Sequence, residues 1–198
     1  MTQRKFILFA APALVLAMAF ACKKAEEPVT TDTAVAATTE TSSTASTANA
    51  APATVSEDDK TFATKAADGG MTEVSLGGIA ASKATNADVK SFSQRMQTDH
   101  GKAGDELKSW ASAKGVTLPA EISAEHKKLA DDLSKKSGAA FDKAYMNAMV
   151  EDHDKDVKEF QEASTKVKDP DLKAWIDKTL PVITDHQKMA HEIAGKLK

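Results

Sequence analysis

The chain has 198 residues, a formal net charge of −3 at neutral pH and one cysteine. The acidic balance, without any basic cluster, excludes a typical nucleic-acid surface, so no nucleic-acid partner is expected. A lone cysteine excludes an internal disulfide, and no glycine-rich phosphate loop, G-x-S-x-G elbow or C-x-x-C motif is present. The enzyme classes that depend on those motifs are therefore not expected.

Residues 1–22 have the pattern of a secretory signal peptide. Arg4 and Lys5 supply positive charge, and an uncharged apolar run extends from Phe6 to Phe20. The run is shorter than the ~20 residues that a membrane-spanning helix needs, and small residues end it. A short transmembrane anchor is the alternative interpretation.

Cys22 follows this run directly, in the sequence Ala-Phe-Ala-Cys. That sequence resembles a bacterial lipoprotein cleavage box, in which the cysteine becomes the lipidated first residue, although the box usually has leucine three residues before the cysteine. We predict that a lipid on Cys22 attaches the protein to a membrane. Lys23 resembles the class sorted to the outer membrane, so we expect an outer-membrane lipoprotein that faces the periplasm. The acidic pair Glu26 and Glu27 leaves surface exposure as an alternative.

Residues 23–56 are almost entirely Thr, Ala, Ser and charged residues, with no aromatic side chain. Such a segment buries too little apolar surface to offset the entropy of ordering, so it is predicted to be a disordered tether. The folded domain is predicted at 57–198, a length that suits one domain with its own core.

Apolar residues in this domain recur in steps of three and four, which predicts helices, and no segment has a strand pattern. Four long helices are predicted at about 59–83, 87–114, 138–167 and 170–197, with a shorter one at about 120–136.

The helix ends and the connections indicate the class of fold. Asn86, Ser137 and Asp169 are predicted N-caps, and Gly115 is predicted to end the second helix. Short connections make the first and second long helices, and likewise the third and fourth, antiparallel neighbours. The connection between the second and third is long and contains the short helix. We therefore predict an all-α, ferritin-like four-helix bundle with a short crossover helix between helices two and three.

Each long helix carries one polar residue within its apolar stripe, and these are Glu73, His100, His153 and His186. With a rise of ~1.5 Å per residue, all four are predicted to lie at the middle height of the bundle. Buried polar groups need partners, so the four residues either hydrogen-bond to one another or bind a metal. Imidazole and carboxylate ligands suit zinc, copper, iron or nickel, and a single transition-metal ion is the cofactor predicted.

A di-iron oxidase site is not expected, because its Glu-x-x-His carboxylates are missing. The residues three positions before the histidines are Gln97, Val150 and Ile183. The set therefore predicts a mononuclear site at most. The other two histidines, His126 and His191, are predicted to be surface residues.

Five other residues are considered near this site. Asp142 and Tyr145, in the sequence FDKAY, are predicted to hydrogen-bond to the ligands. Asp99, Asp152 and Asp185 each precede a histidine by one residue, or ~100° around a helix. They are therefore predicted to meet lysines or water rather than the metal.

Three segments carry a family resemblance: GGMTEVSLGGIAASKATNADVKSFSQRMQTDH, LPAEISAEHKKLADDLSKKSGAAFDKAYMNAMVEDH and LKAWIDKTLPVITDHQKMA. They closely resemble the bacterial domain-of-unknown-function family 4142, over residues 60–192. The resemblance implies a ferritin-like bundle and an exported location in the outer membrane or periplasm. Glu73 and the three histidines fall within the characteristic segments. The family brings no established activity, substrate or cofactor.

Three functions are compatible with these observations. The first is a lipid-anchored module that binds or buffers a metal. The second is a non-enzymatic envelope protein with an unidentified protein partner, whose buried His/Glu layer only fixes helix packing. The third, a metal-dependent oxidase or hydrolase, needs an open coordination position and a reachable pocket, which the sequence does not show. A role other than catalysis is therefore favoured.

Overall fold

The computed structural model describes residues 54–197, and every regular element in that range is a helix. The signal peptide, Cys22 and most of the predicted tether lie outside the described residues. The helices are α1 (Glu57–Lys83), α2 (Ala87–Lys114), α3 (Ala124–Ser134), α4 (Gly138–Lys166) and α5 (Pro170–Lys196). None of these five helices is apolar over a stretch long enough to span a membrane. The prediction of an all-helical domain is confirmed.

The ends of the long helices follow from the capping residues that the sequence indicates. The side chain of Asn86 accepts hydrogen bonds from the backbone N–H groups of Asp88 and Val89, at 2.8 and 3.3 Å. Gly115 ends α2 with a φ of 66°, in the left-handed region that favours glycine. Ser137 occupies the N-cap position of α4, but its side chain makes no capping hydrogen bond.

The crossover helix α3 is shorter than the predicted 120–136, because its start is held in place by α1. The backbone N–H of Ser123 donates to Asp68 of α1 at 2.7 Å. The hydroxyl of Ser123 then caps α3 by accepting from the N–H of His126 at 3.4 Å. These bonds hold residues 120–122 outside the helix and place α3 against α1 and α4.

The four long helices pack around a shared interior. Helix α1 contacts α2 and α4, and α5 contacts α4 and α2. The approach of α1 to α2 is close at Gly77, where an added Cβ would lie 2.9 Å from the backbone carbonyl oxygen of Ser93. Only a residue without a side chain allows the two backbones to lie at this distance.

The apolar core is divided into two clusters. One includes Phe62, Trp110 and Trp175, and the other includes Phe92 and Met96. Along every long helix, the chain passes from one cluster to the other through a buried polar residue at middle height, and on α1 the buried Thr72 precedes it. The interior therefore contains a polar layer between two apolar halves.

Candidate metal centre

The polar layer consists of the four residues that the sequence places at one height. His100 Nδ1 lies 2.6 Å from Glu73 Oε2, and His153 Nε2 lies 3.1 Å from Glu73 Oε1. His100 Nε2 lies 3.1 Å from His186 Nδ1. All four residues are buried, with His100 the most exposed at 7%. Each of the four long helices thus supplies one side chain to a single cluster.

A backbone carbonyl sets the proton position on His153. Nδ1 lies 2.9 Å from the carbonyl oxygen of Met149, which can only accept a hydrogen bond. Burial lowers the pKa of His153, against the opposing effect of the Glu73 charge, so the imidazole is neutral at neutral pH. Its one hydrogen is therefore on Nδ1, and Nε2 presents a lone pair to Glu73.

Asp99 sets the proton position on His186 in a similar way. His186 Nε2 lies 2.9 Å from Asp99 Oδ2, and the same carboxylate accepts from Arg95 at 3.1 Å. Burial acts to raise the pKa of Asp99, but hydrogen bonds from His186 and Arg95 outweigh it and the pKa lies below its ordinary value. The ionised carboxylate accepts the Nε2 hydrogen, which leaves a lone pair on His186 Nδ1.

This contact corrects the prediction that Asp99 meets lysine or water. The side chain lies close enough to α5 to orient a histidine of the centre, and it also pairs with the half-exposed Arg95. Asp185 behaves as predicted, because it is exposed and lies 3.5 Å from Lys188.

The four side chains of the layer carry too few donor hydrogens for the nitrogen and oxygen lone pairs that face one another. Neutral His100 has one N–H, which His186 Nδ1 can accept at 3.1 Å. His100 Nδ1 and His153 Nε2 then both face Glu73 with lone pairs, and even a protonated Glu73 has one hydrogen for the two nitrogens. Among the residues that the structure describes, both oxygens of Glu73 and His153 Nε2 are buried without a partner in hydrogen-bond geometry. Bound positive charge would satisfy this arrangement.

The protonation states favour the same conclusion. Burial lowers the pKa of His100 and of His186 to about 4, and both imidazoles are neutral at pH 7. Burial raises the pKa of Glu73 to about 8; the charge of His153 acts to lower it, and that of Asp152 to raise it. Neutral imidazole is the form that binds a metal ion, so the histidines need not lose a proton on binding.

Two carboxylates adjoin this layer on the side of α4. Oxygens of Glu73, Asp152 and Asp156 all lie within 4.8 Å of one another, and so do three nitrogens contributed by His100, His153 and His186. Burial raises the pKa of Asp156 to about 9, with further increases from Glu73 and Asp152. Burial also raises the pKa of Asp152. Glu73 therefore lies between a nitrogen-rich cluster and an oxygen-rich one.

The oxygen-rich cluster was not predicted from the sequence. Asp152 was expected to meet lysines or water, and Asp156 was not considered. The available signal is their spacing, since residues four apart lie on the same face of a helix and Asp156 is one turn after His153. That pattern is common on solvated helices, so spacing alone does not distinguish this pair.

The predicted hydrogen bonds from Asp142 and Tyr145 to the layer are not formed. Asp142 accepts from the backbone N–H groups of Thr85 and Asn86, at 3.0 and 2.9 Å, and so holds the α1–α2 connection. The hydroxyl of Tyr145 is buried without a hydrogen bond in the described part of the chain. Its ring packs edge-on against Phe92, at 6.3 Å between centroids. Both predictions followed spacing along α4 and ignored where that helix meets the α1–α2 connection.

The two remaining histidines differ in exposure. His191 is exposed on α5, as predicted, and pairs with Asp154 at 2.9 Å. His126 was also predicted at the surface, but only 18% of its side chain is exposed. Its Nδ1 lies 3.0 Å from Asp68, and its charge acts on Asp152. Helix α3 therefore brings a histidine towards the acidic side of the layer.

Two cavities reach the layer. One, of about 320 Å³, is lined in part by Glu73, His100 and Asp156. The other, of about 230 Å³, is lined in part by Asp99, His100 and His186. Space for a small ion therefore lies beside Glu73 and His100 in the first cavity and beside His100 and His186 in the second.

The fold and this layer together define a helical protein with a candidate metal centre in its interior. The family model described as "Domain of unknown function (DUF4142)" matches residues 44–193, and the chain belongs to this family. The family resemblance found in the sequence is thereby confirmed. A comparison with curated proteins finds no match.

Two solved structures share the helical fold. One is the crystal structure of a DUF305 fragment from Deinococcus radiodurans, with a TM-score of 0.64 and 12% identity. The match covers 72% of this chain and 99% of that chain. The other is CopM in the Cu(I)-bound form, with a TM-score of 0.57 and 16% identity, over 68% of this chain and 93% of that one. At these identities the likeness concerns the fold alone.

Proposed function

We propose that this protein is an exported metal-binding module built on a ferritin-like four-helix bundle. Its metal ligands are Glu73, His100, His153 and His186. The observation that carries this proposal is the excess of lone pairs over hydrogens in a fully buried layer. A cation satisfies all four groups at once, whereas the two hydrogens that His100 and a protonated Glu73 supply leave at least one of the three contacts among these groups without a hydrogen bond.

The donor atoms indicate the kind of ion. Three imidazole nitrogens and a carboxylate suit zinc, copper(II), iron or nickel, while Cu(I) is selected by thiolate and thioether sulfur. No sulfur atom belongs to the proposed ligand set. The structurally similar CopM is known in a Cu(I)-bound form, which supports metal binding on this type of fold. For this chain we propose a divalent ion.

The location is part of the proposal. A lipid on Cys22 would hold the protein at the outer membrane, facing the periplasm, and residues 23–56 would act as the tether. The apolar run, the lone cysteine at its end and the family resemblance support this arrangement. A module so placed would bind or buffer metal ions that enter the cell envelope.

A second candidate function is an envelope interaction protein in which the layer only fixes helix register. The observation in its favour is the position of the layer between two apolar clusters, because a buried polar layer can select one packing arrangement. This alternative predicts no metal uptake.

The test uses the chain from residue 23 onward, purified without a histidine tag and exposed in turn to Zn²⁺, Cu²⁺, Ni²⁺ and Fe²⁺. We expect at least one bound equivalent and a rise in melting temperature for one of these ions. Both should be lost in His153→Ala and retained in the control His191→Ala, since His191 is exposed. Equal metal content in the two variants would contradict the proposal and favour the register function.

A further inference from the structure

The acidic side of the layer has the composition of a second binding position. Asp152 and Asp156 lie one turn apart on α4, and Glu73 reaches them from α1, so that one carboxylate oxygen from each of the three residues lies within 4.8 Å of the other two. Within residues 54–197, neither aspartate forms an ion pair with a lysine, arginine or histidine. Three ionised carboxylates this close repel one another, and positive charge between them, or protonation, removes the repulsion.

The central carboxylate of this cluster is almost fully buried. The side chain of Glu73 is 1% exposed, and neither oxygen has a hydrogen bond to any other residue that the structure describes. Oδ2 of Asp152 is likewise buried without a partner there. An acidic cluster on a protein surface is satisfied by solvent, whereas this one surrounds an unsatisfied buried side chain.

We propose that Glu73, Asp152 and Asp156 hold a second cation, and that Glu73 bridges it to the ion bound by the histidines. This inference rests on the proposed function, because Glu73 belongs to both positions. The centre is then dinuclear, and the sequence-based prediction of a mononuclear site is incomplete.

The two positions select different ions by their donor atoms. Imidazole nitrogen suits zinc, whereas a set made only of carboxylate oxygens suits Mn²⁺ or Mg²⁺. The cavity of about 320 Å³ is lined by Asp156, and the cavity of about 230 Å³ is lined by His186. A mixed Zn²⁺/Mn²⁺ centre is therefore the form to test.

The experiment uses the chain from residue 23 onward, loaded with one equivalent of Zn²⁺, freed of excess metal and titrated with Mn²⁺. Free Mn²⁺ is measured by electron paramagnetic resonance. We expect one Mn²⁺ to bind in addition to the Zn²⁺. Asp156→Asn should weaken Mn²⁺ binding at least tenfold and leave Zn²⁺ in place. The control Asp154→Asn changes an acid on the same helix that pairs with His191 and should alter neither ion.

The outcomes separate this inference from the proposed function. Bound Zn²⁺ without Mn²⁺ overturns the second position and leaves the histidine site intact. Failure to bind either ion overturns both. Mn²⁺ binding that is unchanged in Asp156→Asn and in Asp152→Asn also overturns the second position. If circular dichroism shows that either variant is unfolded, the number of Mn²⁺ ions bound by the unaltered chain decides whether the second position exists.

Discussion

Replacing Glu73 by glutamine distinguishes a metal ligand from a packing element, because the two roles have opposite effects on the stability of the metal-free protein. Burial raises the pKa of Glu73 from its ordinary 4.5 to about 8. One pKa unit corresponds to ~1.4 kcal/mol, so keeping this carboxyl protonated at pH 7 costs the fold ~3 kcal/mol. Glutamine has nearly the same shape and does not ionise. We expect Glu73→Gln to raise the free energy of unfolding by that amount at pH 7 in the absence of metal.

The pH dependence gives the sign of this effect. Because the folded pKa is raised, the folded state holds more protons than the unfolded state between pH 4.5 and about 8. The contribution of Glu73 to the stability of the unaltered protein therefore falls as pH rises through this window. The increase in the free energy of unfolding on Glu73→Gln should be about 1 kcal/mol at pH 5 and about 3 kcal/mol at pH 7.

Urea unfolding in the presence of a chelator, at both pH values, measures this difference. The control Asp185→Asn alters an exposed carboxylate and should change stability little at either pH. In the presence of Zn²⁺, Glu73→Gln should also lose the metal-induced rise in melting temperature. A metal-free Glu73→Gln protein that is less stable than the unaltered chain at both pH values would refute the reasoning. Glu73 would then belong to a stabilising hydrogen-bonded layer.

Three further predictions concern the scaffold and the anchor. Gly77→Ala should lower the free energy of unfolding by ~1–3 kcal/mol in urea, because its Cβ meets the backbone of α2, whereas Gly70→Ala meets nothing and should not. Asp169 caps α5 and accepts from Trp110 at 2.9 Å; burial acts to raise its pKa, but its hydrogen bonds hold it below the ordinary 3.8. Asp169→Asn should therefore destabilise at pH 7, and the difference should shrink as pH falls below 3.8. Cys22→Ser should release the protein from the membrane fraction and abolish palmitate labelling; unchanged fractionation would exclude a lipid anchor.

The meeting of the four polar residues could be predicted because it depends on rules that hold along one helix. Apolar spacing identifies each stripe, and a fixed rise per residue converts sequence position into height. Asn86 and Gly115 then set where α2 begins and ends. With short connections, the heights of Glu73 and His100 in antiparallel neighbours follow from counting residues.

The groups around the layer could not be predicted because they depend on how each helix is rotated against its neighbours. Asp99 and Asp152 have the same relation to the histidine that follows each of them, yet Asp99 contacts His186 on α5 whereas Asp152 lies near Glu73 of α1. Asp142, in the sequence FDKAY on the same helix as His153, is predicted from sequence to hydrogen-bond to the ligands but does not. The deciding fact is that α4 passes the α1–α2 connection at that point, which no local pattern contains.

The cost of burying Glu73 links the stability of this protein to the ion that it is proposed to bind. An ion that binds only the folded state contributes about 2.7 kcal/mol when its concentration is a hundredfold above Kd. That contribution is close to the ~3 kcal/mol that a protonated Glu73 costs at pH 7. A leucine in place of Glu73 would avoid the cost without any ion, so an apolar layer is the more stable solution for a protein with a purely structural role. A chain that keeps the carboxylate matches the stability of the leucine variant only while metal is bound. Its free energy of unfolding then depends on the metal concentration around it.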